Sequence, residues 1–182
     1  MLIMQQKENK EQPPKIYIAM ACYDSVMIKT MISMTKLVKE LTKAGLEWQI
    51  ETVKTPFVSK ARNILTALFL RSKYDYLLFI DADVEFEPEA IIRMLVAKKD
   101  IILTPYRVKL PHDASLVKYT ISFPDDKNVP ILPGDLVEIS EGPAGMLLIH
   151  RKVFEFLMDS CPRLKIKHPF RKESDPYLYN FW

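Results

Sequence analysis

Asp81 and Asp83 are the residues of this chain best placed to do chemistry, two carboxylates one residue apart at the end of the apolar run Tyr76-Leu77-Leu78-Phe79-Ile80. Acids this close repel unless a proton or a cation lies between them, and oxygen ligands suit a hard ion such as Mg²⁺ or Mn²⁺. A metal-bound polyphosphate is the natural guest of such a pair. The plainer alternative is that Asp81 caps the next segment and Asp83 is simply solvated. Glycine gives a second marker. Of the four glycines, Gly45, Gly134, Gly142 and Gly145, two fall within Gly142-Pro143-Ala144-Gly145. That concentration calls for unusual backbone angles or close approach of a ligand, although a plain turn would use them too. With so few glycines, neither a GxGxxG dinucleotide fingerprint nor a GxxxxGK[ST] phosphate loop can be drawn.

The elements that position these residues follow from periodicity. A short apolar run bounded by polar residues reads as a buried strand of an α/β sheet, and ligands of such sheets gather at the carboxyl ends of the strands. Lys15 to Cys22 and Leu46 to Val53 read as two earlier strands. Between them Met27, Met31, Met34, Val38 and Leu41 recur at helical steps over Ser25 to Ala44, with Asp24 placed to cap the start and Gly45 the end. Ser59 precedes a second helix, Lys60 to Leu70. After the acids, Pro88 at a first helical position opens Glu89 to Lys98, and Asp100 to Tyr106 is a further strand. This alternation predicts an α/β fold with a mostly parallel sheet covered on both faces. Beyond Tyr106, Lys118 to Phe123 and Gly134 to Ile139 read as short strands, Met146 to Ile149 as another, and Arg151 to Met158 as a helix.

Composition narrows the function classes. The 182 residues suit one domain, 15–182, preceded by a poorly ordered arm, 1–14, that ends in Pro13-Pro14. A formal charge of +3, from 26 basic and 23 acidic side chains, leaves no basic block with interleaved aromatics, so nucleic acid is not an expected partner. Cys22 and Cys161 match no metal spacing and read as free thiols of a reducing compartment. No apolar stretch approaches the roughly 18 residues of a membrane span, and the expectation is a cytoplasmic protein.

Four segments in this order resemble a glycosyltransferase of the GT-A fold, nearest to the family 2-like enzymes of small viral or prokaryotic type: the strand ending Ala21-Cys22-Tyr23, then Ser59-Lys60-Ala61-Arg62-Asn63, then LLFIDADVEFEP, and later EGPAGMLLIHRKVFEFL. The resemblance covers about Lys15 to Met158. It implies a nucleotide-diphosphate sugar donor (UDP- or GDP-linked), Mn²⁺ or Mg²⁺, and transfer of the sugar to a hydroxyl of a glycan, protein or lipid-linked acceptor. Residues 15–106 would form the donor half, and 107–182 the acceptor half with a small antiparallel addition to the sheet. A metal held by Asp83, with Asp81 near the ribose or sugar, would neutralise the charge that builds on a leaving nucleoside diphosphate. Arg62, with Asn63 beside it, lies at a helix start where anions are favoured and would reach the donor's phosphates or base; the alternative is an exposed helix arginine. Tyr23 falls where such folds hold the nucleotide base, Gly142 and Gly145 beside the acceptor pocket, and His168 where these enzymes often supply a further metal or phosphate contact.

The resemblance is least complete at the catalytic base. Inverting enzymes of this fold place an acid, often in a Glu-Asp pair, at a late helix start. Here Glu173-Ser174-Asp175 is the nearest match, which nominates Asp175, with Glu141 as the substitute; a retaining mechanism would need neither. Two other readings stand beside this one. A HAD-type phosphatase also ends an apolar strand in D-x-D, but on its opening strand and with a later acidic cluster. A non-catalytic nucleotide-sugar or glycan-binding module would share the site without the turnover.

Overall fold

The computed structural model describes residues 12–106, 119–124, 136–166 and 175–182. In chain order the elements are β1 (Ile16–Cys22), α1 (Ile28–Lys43), β2 (Trp48–Lys54), α2 (Val58–Arg71), β3 (Tyr76–Ile80), α3 (Pro88–Val96), β4 (Ile101–Leu103), β5 (Met146–His150) and α4 (Arg151–Ser160), followed by one 3₁₀ turn, Pro162–Leu164. The strands form one sheet of order β2-β1-β3-β5-β4. Alternation along β1 sends Ile16, Ile18 and Met20 to one face, where Met34, Leu37 and Leu41 of α1 and Ile91 and Met94 of α3 cover them. Tyr17 and Ala19 point to the other face, against Leu65 and Phe69 of α2 and Phe154 of α4.

The sheet is mixed, so the expectation of a mostly parallel sheet with a small antiparallel addition holds only in part. β1 runs parallel to β2 and to β3. β5 enters between β3 and β4, antiparallel to both, with Ile80 opposite Met146 and Leu103 opposite Leu147. An inward-facing run such as Met-Leu-Leu-Ile-His carries no mark of its direction, so periodicity cannot distinguish the two pairings. The consequence is local: the carboxyl end of β3 lies beside the amino end of β5, and the glycine segment meets the aspartates.

Boundaries differ from expectation where side chains found other partners. α1 starts at Ile28 rather than near Ser25, because the Asp24 carboxylate pairs with Lys54 Nζ at 2.6 Å instead of capping the helix. Its other end is as expected: Gly45 at φ +69° stops the helix, Gly45 N–H donating to Thr42 O and Leu46 N–H to Leu41 O. α2 begins at Val58, which puts Ser59 inside the helix and Arg62 in its second turn, past the N–H groups that favour anions. In the described part of the segments expected as short strands at 118–123 and 134–139 no extended strand forms, and Ser122 makes a bridge with Glu141.

Candidate active site

The turn after β3 is fixed from both sides. Asp81 N–H donates to Gly145 O at 2.8 Å, extending the β3–β5 pairing by one residue. On the opposite flank the Ala82 carbonyl accepts from Met27 N–H at 2.9 Å and from Thr30 Oγ1 at 3.1 Å, so the start of α1 pins the residue between the two acids. Asp81 O accepts from Val84 N–H at 3.3 Å, which turns the chain after Asp83. The backbone holding both carboxylates is thereby anchored within the sheet by the residue preceding β5 and from one face by α1.

The two acids differ in surroundings. The Asp81 side chain is one-third exposed, and its Oδ1 accepts from Arg62 Nη2 at 2.9 Å. Its Oδ2 faces Gly145, where a Cβ would lie 3.0 Å away. Asp83 is exposed and has no hydrogen bond or ion pair among the described residues. A divalent ion fits such a donor set. Among the described residues no group of three or more His, Cys, Asp and Glu surrounds the pair, so an ion here would keep most positions for water and phosphate oxygens, as Mg²⁺ and its relatives do.

Arg62 is the cationic counterpart. Its side chain is only 14% exposed, and the same Nη2 also reaches Ala144 O at 3.3 Å. The guanidinium lies 5.7 Å from the centre of the Phe79 ring and 5.5 Å from that of Trp182. Its Nε is buried with no partner among the described residues. Buried polar groups are normally paired, so this exception asks for an explanation.

Tyr106, just past β4, closes the remaining side. A Cβ on Gly145 would lie 3.1 Å from both Cε1 and Oη of its ring. Burial raises the pKa of its phenol, the charges of Asp81 and Asp83 add to the rise, and Arg62 opposes it. Gly142 is equally confined, a Cβ there meeting Leu103 Cδ2 at 2.6 Å and Ile139 Cδ1 at 2.8 Å. Close approach is therefore what both glycines of the segment serve. Sequence reasoning missed Tyr106, Phe79 and Trp182 as neighbours of this site, because nothing in their spacing links them to Arg62.

The other nominated residues divide. Tyr23 follows β1 on the same edge of the sheet and is 73% exposed. Glu141 also belongs to this edge: it precedes Gly142, exchanges backbone hydrogen bonds with Ser122, and accepts from Ser122 Oγ at 3.5 Å. Asn63 does not face the site. It is buried, its Oδ1 accepts from Phe181 N–H at 2.9 Å and Trp182 N–H at 3.3 Å, and its Nδ2 donates to Asn180 Oδ1 at 3.0 Å. Asp175 is also elsewhere. It pairs with Arg71 at the far end of α2, nine residues and roughly 13 Å along the helix from Arg62. His168 lies outside the described residues.

A mixed α/β sheet thus brings a carboxylate pair and a largely buried arginine together at the carboxyl edge of β3. The family comparison is consistent with that: the Anp1 family model matches residues 8–122, more than half of the sequence, and the chain belongs to the Anp1 family. No curated protein sequence matches it. Among solved structures it is similar to A197 from STIV, at 21% identity over 88% of this chain and 73% of that one, with a TM-score of 0.49. A glycosyltransferase involved in the glycosylation of the major capsid of PBCV-1 is similar at 12% identity, 86% and 72% coverage and a TM-score of 0.41. The 4-diphosphocytidyl-2C-methyl-D-erythritol synthase from Anaerococcus prevotii DSM 20548 is similar at 14% identity, 92% and 84% coverage and a TM-score of 0.41. No helix among the described residues is long and apolar enough to cross a membrane.

Proposed function

We propose that this chain is a glycosyltransferase of the GT-A type that takes a nucleotide-diphosphate sugar, UDP- or GDP-linked, with Mn²⁺ or Mg²⁺, and passes the sugar to an acceptor hydroxyl. The observation that carries the reading is the meeting of Arg62 with Asp81 at 2.9 Å beside Asp83, which is exposed and unpaired among the described residues. One small region thus offers a cation-binding carboxylate and an anion-binding guanidinium, the two complements of a metal diphosphate. Membership of the Anp1 family and the order of the GT-A-like segments support the same reading.

In this scheme Asp83, with Asp81, would hold the metal, which would supply Lewis-acid neutralisation of the leaving diphosphate. Arg62 turns part of its hydrogen bonding from Asp81 to a donor phosphate. Tyr23, exposed at the end of β1, offers its ring to the nucleotide base. Gly145 lets Tyr106 and Asp81 close on the sugar side without a Cβ between them. The proton of the acceptor hydroxyl is assigned to Glu141, because Asp175 is held by Arg71 away from this edge. No observation favours a phosphatase: Asp81 follows an internal strand, β3, instead of the opening one, and its Oδ1 is held by Arg62.

Calorimetric titration of UDP and of GDP with and without Mn²⁺ tests this. Binding of one nucleotide should require the metal and vanish in Asp83→Ala; affinity unchanged in that variant refutes the assignment. Mn²⁺-dependent hydrolysis of a bound nucleotide sugar then separates a transferase from a binding module.

A further inference from the structure

We infer that Trp182 is a positioning residue of the site: the segment Asn180–Trp182 is latched across α2 so that its indole covers Arg62 and holds the guanidinium toward Asp81. The inference rests on the reading of Arg62 as the donor's anion contact and adds a residue outside every motif discussed above.

The latch uses three consecutive residues of the segment and two of the helix. Asn63 Oδ1 takes the backbone N–H groups of Phe181 and Trp182, and Asn63 Nδ2 gives a hydrogen bond to Asn180 Oδ1. One turn further along α2, Thr66 Oγ1 accepts from Trp182 Nε1 at 3.1 Å and donates to Arg62 O at 2.8 Å. The indole is therefore tied through Thr66 to the backbone of the residue whose side chain it covers. Its ring packs edge-on against Phe79 with centroids 5.0 Å apart, so Phe79 and Trp182 form two walls around the guanidinium. Asn63 and Thr66 are both buried, and both point to the latch rather than to solvent.

Physical consequences follow from this enclosure. An arginine side chain carries about 2 kcal/mol of rotamer freedom, and aromatic walls remove the orientations that miss Asp81. Excluding water strengthens the attraction to a carboxylate or phosphate. The ring faces add cation–π attraction, and stabilisation of about 0.5 to 2 kcal/mol corresponds to roughly 2- to 30-fold in an equilibrium constant. The Nε is enclosed with the rest of the group, so its exchange with solvent reports directly on the walls.

The test compares Trp182→Leu and Trp182→Phe with wild type in two measurements. The first is independent of any ligand: the ¹⁵N-¹H signal of Arg62 Nε should be protected from solvent exchange in the wild type and in Trp182→Phe, and should lose protection at least tenfold in Trp182→Leu. Wild-type protection in Trp182→Leu overturns the inference. The second is a double-mutant cycle with whichever of UDP or GDP binds in the presence of Mn²⁺. Trp182→Leu should weaken it about 2- to 30-fold in the wild-type background and leave affinity unchanged in Arg62→Ala. Equal losses in both backgrounds mean that Trp182 does not act through Arg62, and the inference fails. If neither nucleotide binds the wild type, the proposed function fails, and the exchange measurement alone decides the latch.

Discussion

Replacing Asp81 and Asp83 one at a time should separate two carboxylates that the sequence presents as a matched pair. Asp81→Ala strands the Arg62 guanidinium, 14% exposed and already carrying an unpartnered Nε, without its carboxylate. Losing one partner of a fully buried pair costs about 3 to 5 kcal/mol, and of an exposed pair about 0 to 1. With Asp81 one-third exposed, and Ala144 O and two aromatic rings still beside Arg62, the expected loss lies between, at about 1.5 to 3 kcal/mol. For a chain of this size that lowers Tm by roughly 4 to 10 °C. Asp83→Ala removes an exposed carboxylate with no partner among the described residues and relieves repulsion from Asp81, so stability should stay within about 0.5 kcal/mol of wild type. Urea unfolding in EDTA measures both without metal. Adding Arg62→Ala to Asp81→Ala should recover part of the loss by removing the stranded cation. Equal destabilisation by the two aspartate variants, or no recovery in the double variant, would refute the account of the site's electrostatics.

Two further outcomes follow from other parts of the chain. Arg151 donates from Nε to Tyr74 O at 2.8 Å, from Nη1 to Leu70 O at 3.1 Å and from Nη2 to Phe69 O at 2.8 Å and Ser72 O at 2.9 Å, closing the end of α2, and burial lowers its pKa. Arg151→Met should cost about 3 to 5 kcal/mol in urea unfolding, and a loss below about 1 kcal/mol would show these carbonyls to be satisfied without it. Glu141→Gln should lower transfer turnover by roughly 10² to 10⁴-fold with nucleotide affinity unchanged, whereas Asp175→Asn, by weakening the pair with Arg71, should affect stability and leave turnover intact. The opposite pattern would restore Asp175 as the base.

What the sequence made legible depends on how local the determinant is. The run Tyr76 to Ile80, buried throughout, announced β3 because five consecutive apolar residues bounded by polar ones have few other uses. Gly45 announced the end of α1 because a left-handed residue is what the motif requires. Asp24 misled, since a residue suited to a cap suits an ion pair equally, and Lys54 lies thirty positions away. Arg62 and Asn63 read as one motif, yet neighbours on a helix point about 100° apart, so one faces Asp81 and the other the Asn180–Trp182 segment. Asp175 misled in a comparable way. Its place in the chain says that it comes late but not which end of α2 it reaches, and the contact with Arg71 joins residues more than a hundred positions apart.

The antiparallel entry of β5 explains why the glycines and the aspartates lie together. In a wholly parallel arrangement the neighbour of Asp81 would be another strand's carboxyl end. Here it is Gly145, at the amino end of β5, whose carbonyl takes the Asp81 N–H. The segment before β5 must therefore cross the same edge, past Leu103 at Gly142 and past Tyr106 and Asp81 at Gly145, in spaces where a Cβ would stand 2.6 to 3.1 Å from its neighbours. The charged groups then arrive from different layers: Arg62 from α2 on one face, and the backbone clamp on Ala82 from α1 on the other. A ligand engaging both Asp83 and Arg62 would join elements that the sheet otherwise keeps apart. The gain in affinity from a metal should accordingly exceed its attraction to Asp83 alone, because the ion and the phosphate it carries draw on two anchored groups instead of one.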